Sequence, residues 1–207
     1  MKFIKYILII TILFGFFTVA CTKSKKTNLT TMQNNKKAVL IVAPEGFQDK
    51  EYQDTKKSLV NKDVNVYVSS TTDQAVGKFG KKIKVDIRLK NLKVNDFDAI
   101  AFIGGPGATA YQNNMKALSV AKKANDNDKV LGAICIAPTI LAKAGVLKGK
   151  KATVWSSNLD QTSIEILENN GAQFINEPVV VDKNIITGNG PQAASQFGLE
   201  IAKKIIK

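Results

Sequence analysis

From residue 37 onward, hydrophobic and polar positions follow two rhythms that take turns along the chain. Short unbroken apolar runs, such as Ala38-Val39-Leu40-Ile41-Val42 and Val130-Leu131-Gly132-Ala133-Ile134, suit strands buried on both faces. Longer amphipathic stretches lie between them, with the spacing of one-sided helices. The pattern predicts strands over 38–42, 64–68, 97–103 and 130–134, with helices over 49–61, 115–124, 138–144 and near 161–169. A strand pair at 179–181 and 184–187 and an amphipathic helix over 192–206 close the chain. Residues 74–94 alternate apolar and charged positions and read as a small hairpin or edge element. Strand and helix in turn imply an α/β fold, a three-layer α/β/α sandwich with a flavodoxin-like, mostly parallel sheet.

The first residues break this rhythm. Met1-Lys2-Phe3-Ile4-Lys5, an apolar run from Tyr6 to Val19, and then Ala20-Cys21 have the basic, apolar and small-residue order of a secretory signal. The apolar run is shorter than the roughly 20 residues that cross a bilayer as a helix. Thr18-Val19-Ala20-Cys21 is similar to a lipobox, with Thr18 where leucine is usual. The expectation is a lipoprotein-type signal peptide over 1–20, lipidation at Cys21, a polar tether through residue 36 and one domain over 37–207. An ordinary signal peptide with an incidental cysteine, or a retained anchor helix, are the alternatives. A lipidated chain would sit in the cell envelope, anchored to a membrane outside the cytoplasm.

Composition narrows the chemistry. The chain carries a formal charge of +13, with 30 basic against 17 acidic residues. The lysines are scattered, arginine occurs only at Arg88, and no aromatic residues interleave them, so a solvated basic surface is expected and no nucleic acid. The chain has no histidine. That removes the commonest general base and zinc ligand, and with no clustered cysteines no metal site is expected. No phosphate-cradling glycine loop occurs either, so no cofactor is expected.

In open α/β sheets, ligands bind where loops leave the carboxyl ends of the strands. Residues 45–51, the turn Gly104-Gly105-Pro106-Gly107 and Cys135 all fall at such ends. Cys135 stands between a buried strand and a helix, a junction that exposes a side chain toward free helical N–H groups and lowers a thiol's pKa. A buried structural cysteine is the plainer alternative.

Four segments carry a family resemblance. Ala133-Ile134-Cys135-Ile136-Ala137-Pro138, continuing through Ala144-Gly145-Val146-Leu147-Lys148-Gly149-Lys150-Lys151, resembles the nucleophile elbow of the ThiJ/PfpI family. Phe47-Gln48-Asp49-Lys50-Glu51 resembles its first loop, Ile103-Gly104-Gly105-Pro106-Gly107 its glycine pair, and 176–188 its late hairpin. The resemblance implies that Cys135 is the reactive thiol and Glu51 its carboxyl partner, that Gly105 and Ile136 offer backbone N–H groups to an oxyanion beside Gly104, and that the protein is a homodimer.

The chain also departs from that family. Its peptidase-like branch has histidine after the cysteine, where this chain has Ile136. Its deglycase-like branch has histidine where this chain has Trp155, which would line the pocket or belong to the core. Three functions therefore stay open. Cys135 and Glu51 could perform glyoxalase- or deglycase-type chemistry on a small reactive carbonyl; Cys135 could respond to an oxidant; or the fold could serve the envelope by binding alone.

Overall fold

The computed structural model describes residues 35–207, so the expected signal peptide, Cys21 and most of the tether lie outside the described residues. The chain enters the fold through β1 (Lys37–Ile41), followed by β2 (Glu45–Phe47), α1 (Asp49–Val60), β3 (Asn65–Ser70), β4 (Gln74–Gly77), β5 (Lys82–Lys84) and β6 (Ile87–Arg88). Two 3-10 turns, Leu89–Asn91 and Val94–Asp96, lead to β7 (Ala99–Phe102), a third 3-10 segment (Pro106–Tyr111) and α2 (Met115–Asp126). Then come β8 (Val130–Ile134), α3 (Pro138–Lys143), β9 (Lys151–Ala152), α4 (Thr162–Asn169), β10 (Gln173–Phe174), β11 (Val179–Asp182), β12 (Ile185–Gly188) and α5 (Ala194–Ile206).

Seven strands form the central sheet in the order β11-β12-β8-β7-β1-β3-β6, and every pairing is parallel except β11 with β12. The unbroken apolar runs do what their composition demands: Ala38 to Val42 are all buried, and alternate residues enter different cores. Val39 and Ile41 pack with Ile100, Phe102 and Leu131 on the face covered by α2, α3 and α4. Leu40 and Val42 pack with Phe47, Leu59 and Phe197 on the face covered by α1 and α5. This is the mostly parallel α/β architecture that the pattern predicts.

The small elements account for the differences. Residues 74–94 supply both a hairpin, β4 antiparallel to β5, and an edge strand of the main sheet, β6. The three-residue β2 extends that hairpin into a separate three-stranded sheet, and β9 pairs with β10 in a two-stranded one. None of these is long enough to show a period. Among the described residues, no helix is long and apolar enough to cross a membrane.

Candidate functional site

At the carboxyl end of β8 the chain turns sharply. Cys135 adopts φ 62°, a left-handed conformation that costs a residue with a side chain about 1 kcal/mol or more. The turn is held from both sides, for the Cys135 N–H donates to the Gly188 carbonyl at 2.8 Å and its own carbonyl accepts the Trp155 N–H at 2.9 Å. The strained residue thus belongs to the hydrogen-bonded framework, a pattern common at functional sites.

The glycine turn after β7 brings α1 to the same place. Gly104 donates its N–H to Glu51 Oε2 at 3.0 Å and accepts the Gln48 N–H at 2.9 Å, so both its peptide groups are engaged by the start of α1. Only a glycine fits there: a Cβ on Gly104 would lie 2.5 Å from the Cys135 Cβ and 2.8 Å from Glu51 Oε2. Gly105 is equally constrained, with φ 97° and room for a Cβ only 2.4 Å from the Gln48 nitrogen.

Glu51 is completely buried. Oε2 takes the Gly104 N–H, whereas Oε1 has no well-formed hydrogen bond, and the carboxyl meets the Cys135 thiol. Burial is the dominant influence and pushes the Glu51 pKa up to about 7, opposed by the neighbouring Cys135 thiol and by the Gly104 N–H. The thiol is likewise pushed up to about 12, first by burial and then by the Glu51 charge, while the Gly105 and Ile136 N–H groups pull it down. The sequence suggested a depressed thiol at a helix start. Here, burial of the thiol itself, and after it the neighbouring Glu51 charge, outweighs the Gly105 and Ile136 donors.

Among the predicted site residues, Cys135, Glu51, Gly104, Gly105 and Ile136 therefore converge. Trp155 reaches the cluster through its backbone, but its side chain is 37 % exposed, so of the two places the sequence left open for it, the core is corrected. Its ring lies near Gly190, where a Cβ would sit 3.6 Å from Cδ1. No cluster of three or more His, Cys, Asp or Glu side chains forms among the described residues.

One participant escaped the sequence reading. Asp49 is buried and accepts the Phe79 N–H at 2.9 Å and the Lys81 N–H at 3.0 Å, tying the β4–β5 hairpin to the first turn of α1, two residues before Glu51. Its only sequence signal is its place in the motif around Glu51. An open cleft of about 760 Å³ lies beside this junction, lined by Asp49, Phe79, Lys81 and Pro191 among others; Cys135 does not line it.

Comparisons with known proteins identify the family and the fold. Residues 36–204 match the model of the family described as DJ-1/PfpI. A protein of Methanocaldococcus jannaschii is 36% identical over all of this chain and 98% of its own. A deglycase of Thermococcus kodakarensis is 33% identical over 74% of this chain and 90% of its own. Among solved structures, a ThiJ/PfpI domain protein from Brachyspira murdochii superposes with a TM-score of 0.77 at 27% identity, covering 82% of this chain and 96% of its own. Drosophila melanogaster DJ-1beta does so at 0.74 and 28%, covering 83% and 91%.

Proposed function

The chain belongs to the DJ-1/PfpI family, and from that premise we propose that it uses Cys135 and Glu51 to process small reactive carbonyls without a cofactor, in the manner of a glyoxalase or deglycase. The observation that carries this reading is the Glu51 carboxyl, buried against the Cys135 thiol and poised near neutrality. A general base works best when its pKa lies near the working pH, and this one needs no histidine.

The chemistry closes without another group. Glu51, ionised, takes the thiol proton as sulfur adds to the aldehyde carbon of a 2-oxoaldehyde such as methylglyoxal. The developing oxyanion lies toward the Gly105 and Ile136 N–H groups and recovers the proton from Glu51, leaving a hemithioacetal. Glu51 then removes the proton from the former aldehyde carbon and returns it to the neighbouring carbonyl carbon, while the hydroxyl proton of the intervening enediol passes from the first oxygen to the second, giving a thioester. Water cleaves that thioester to a 2-hydroxy acid and restores the thiol. Every proton that leaves a carbon or sulfur passes over one carboxyl, and the raised thiol pKa keeps sulfur protonated until substrate arrives.

Turnover of methylglyoxal to lactate by the purified chain tests this. Rates should fall to the uncatalysed level in Cys135→Ser and in Glu51→Gln; equal rates in the wild type and both variants would sink it. A second reading, ligand binding without turnover, is favoured by the thiol pKa of about 12, because so weakly acidic a thiol is a poor nucleophile and a poor target for oxidants. It predicts a ligand complex in Cys135→Ser as tight as in the wild type.

The same proposal puts the protein in the cell envelope, anchored by lipid at Cys21 as a homodimer. The order of residues 1–21 supports the anchor, and Phe79, 72% exposed beside the cleft, supports a self-association face. Intact mass of membrane-extracted protein reads out the first, and sedimentation of Phe79→Ser the second.

A further inference from the structure

Outside the Cys135 site, four lysines line a groove of about 820 Å³ between α2 and the two 3-10 turns before β7. Lys116 and Lys123 stand on the α2 wall, seven residues apart and hence about 10 Å along the axis. Lys90 and Lys93 stand on the opposite wall. Among the described residues, none of the four takes part in an ion pair; the five that form involve Lys36, Lys50, Arg88, Lys122 and Lys203. Asp96 is the one acidic residue of the lining.

Polar contacts link the two walls. Lys116 Nζ donates to the Leu92 carbonyl at 3.4 Å, and the Asn127 amide donates to Asn95 Oδ1 at 2.7 Å, joining helix to turns at both ends. Ammonium groups held in a concavity reinforce one another's field, since low-dielectric walls focus it. Four such groups facing a single acid in the lining repel one another, a repulsion that an anion in the groove would relieve.

We propose that this groove docks a linear phosphate polymer. Its length along α2 suits a chain of successive charges better than a single anion. Lysine recognises phosphate as a point charge without demanding the planar fork that arginine offers. The lining has no aromatic ring on which a nucleobase could stack, which argues against single-stranded nucleic acid. The groove shares no lining residue with the Cys135 site, so the proposal stands apart from carbonyl chemistry and from the anchor.

The test uses the full chain in non-ionic detergent and inorganic polyphosphate carrying a fluorophore, read by polarisation. Binding should weaken steeply with salt and by about tenfold or more in Lys93→Glu/Lys123→Glu, with a shallower salt slope. The same charge change on the opposite helical layer, Lys57→Glu/Lys62→Glu, should alter affinity by less than about twofold. Equal losses in the two double variants would mean diffuse attraction to a basic protein and overturn the proposal. So would absence of polyphosphate binding, or tighter groove-dependent binding to phosphatidylglycerol vesicles or single-stranded DNA than to polyphosphate.

Discussion

The close approach of the Cys135 thiol to the Glu51 carboxyl works in opposite directions on the two groups: it lowers the proton affinity of Glu51 and raises that of Cys135. A carboxylate beside a thiol favours the state in which sulfur keeps the proton. Burial then lifts both groups, and the carboxyl, not the sulfur, is left titrating near neutrality.

Glu51→Gln should therefore make the thiol more acidic. Ionising Cys135 in the wild type means placing a thiolate against a carboxylate that has already lost its proton; glutamine removes that repulsion. The thiol pKa, about 12 in the wild type, should fall by about one unit or more, read by pH-dependent alkylation. An unchanged profile would mean that the two side chains are not coupled.

Stability should fall as pH rises through neutrality. Glu51 binds its proton more tightly folded, at about 7, than unfolded, at 4.5. The contribution of the neutral carboxyl is therefore complete below about 4.5 and is lost as pH climbs through about 7, on the order of 3 kcal/mol in all. Urea midpoints measured from pH 5 to 8.5 should drift down in the wild type and stay flatter in Glu51→Gln, with the variant the more stable of the two at pH 8.5. A drift of equal size in both proteins would assign the slope to other groups.

The left-handed backbone at Cys135 makes a separate prediction. Alanine keeps the strain of φ 62° and removes the sulfur, whereas glycine removes both. Cys135→Gly should therefore be more stable than Cys135→Ala by about 1 kcal/mol, the reverse of the usual order of these residues in a core. Equal midpoints in thermal melts would show that the turn stores no strain.

Much of this arrangement could be read from the chain. The runs at 38–42 and 130–134 announce two-sided burial because each is long enough for both faces to be apolar, and the glycine turn and Cys135 follow such runs directly. Strands of two or three residues, β2, β9 and β10, carry no period and exist because neighbours supply their partners. The thiol's direction of shift was illegible for a different reason. It depends first on the burial of the thiol and then on the charge of Glu51 beside it, properties of packing around the Cys135 turn, α1 and the Gly104 turn that no residue type records. Trp155 was equally ambiguous, because an apolar side chain after a strand end can turn inward or outward.

Gly104→Ala should disturb the site more than its size suggests. A methyl there meets the Cys135 Cβ at 2.5 Å and the Ile134 carbonyl at 2.6 Å, and the latter is backbone that cannot swing aside. Overpacking of this kind costs about 1–3 kcal/mol. The urea midpoint should fall accordingly, and Cys135 should alkylate faster as the elbow is pushed open; a variant with wild-type alkylation would mean that the turn yields elsewhere.

Asp49 offers the sharpest separation of scaffold from site. Its carboxylate is the acceptor for two hairpin N–H groups, Phe79 and Lys81, and the contact is so close that a Cβ on Gly77 would fall 2.3 Å from Asp49 Oδ1. Asp49→Ala strands both donors, at about 1–3 kcal/mol each where they are shielded from water, and removes an acid from the first turn of α1, where the helix dipole favours one. Asp49→Asn keeps one acceptor oxygen and should lose less. If the hairpin fixes the start of α1, then Glu51, one half-turn further on, loosens with it. The thiol pKa should then fall in the same order as the stability, from wild type through asparagine to alanine. A full loss of stability with an unmoved thiol would instead confine Asp49 to securing the hairpin and leave Gly104 as the sole agent that holds Glu51 against Cys135.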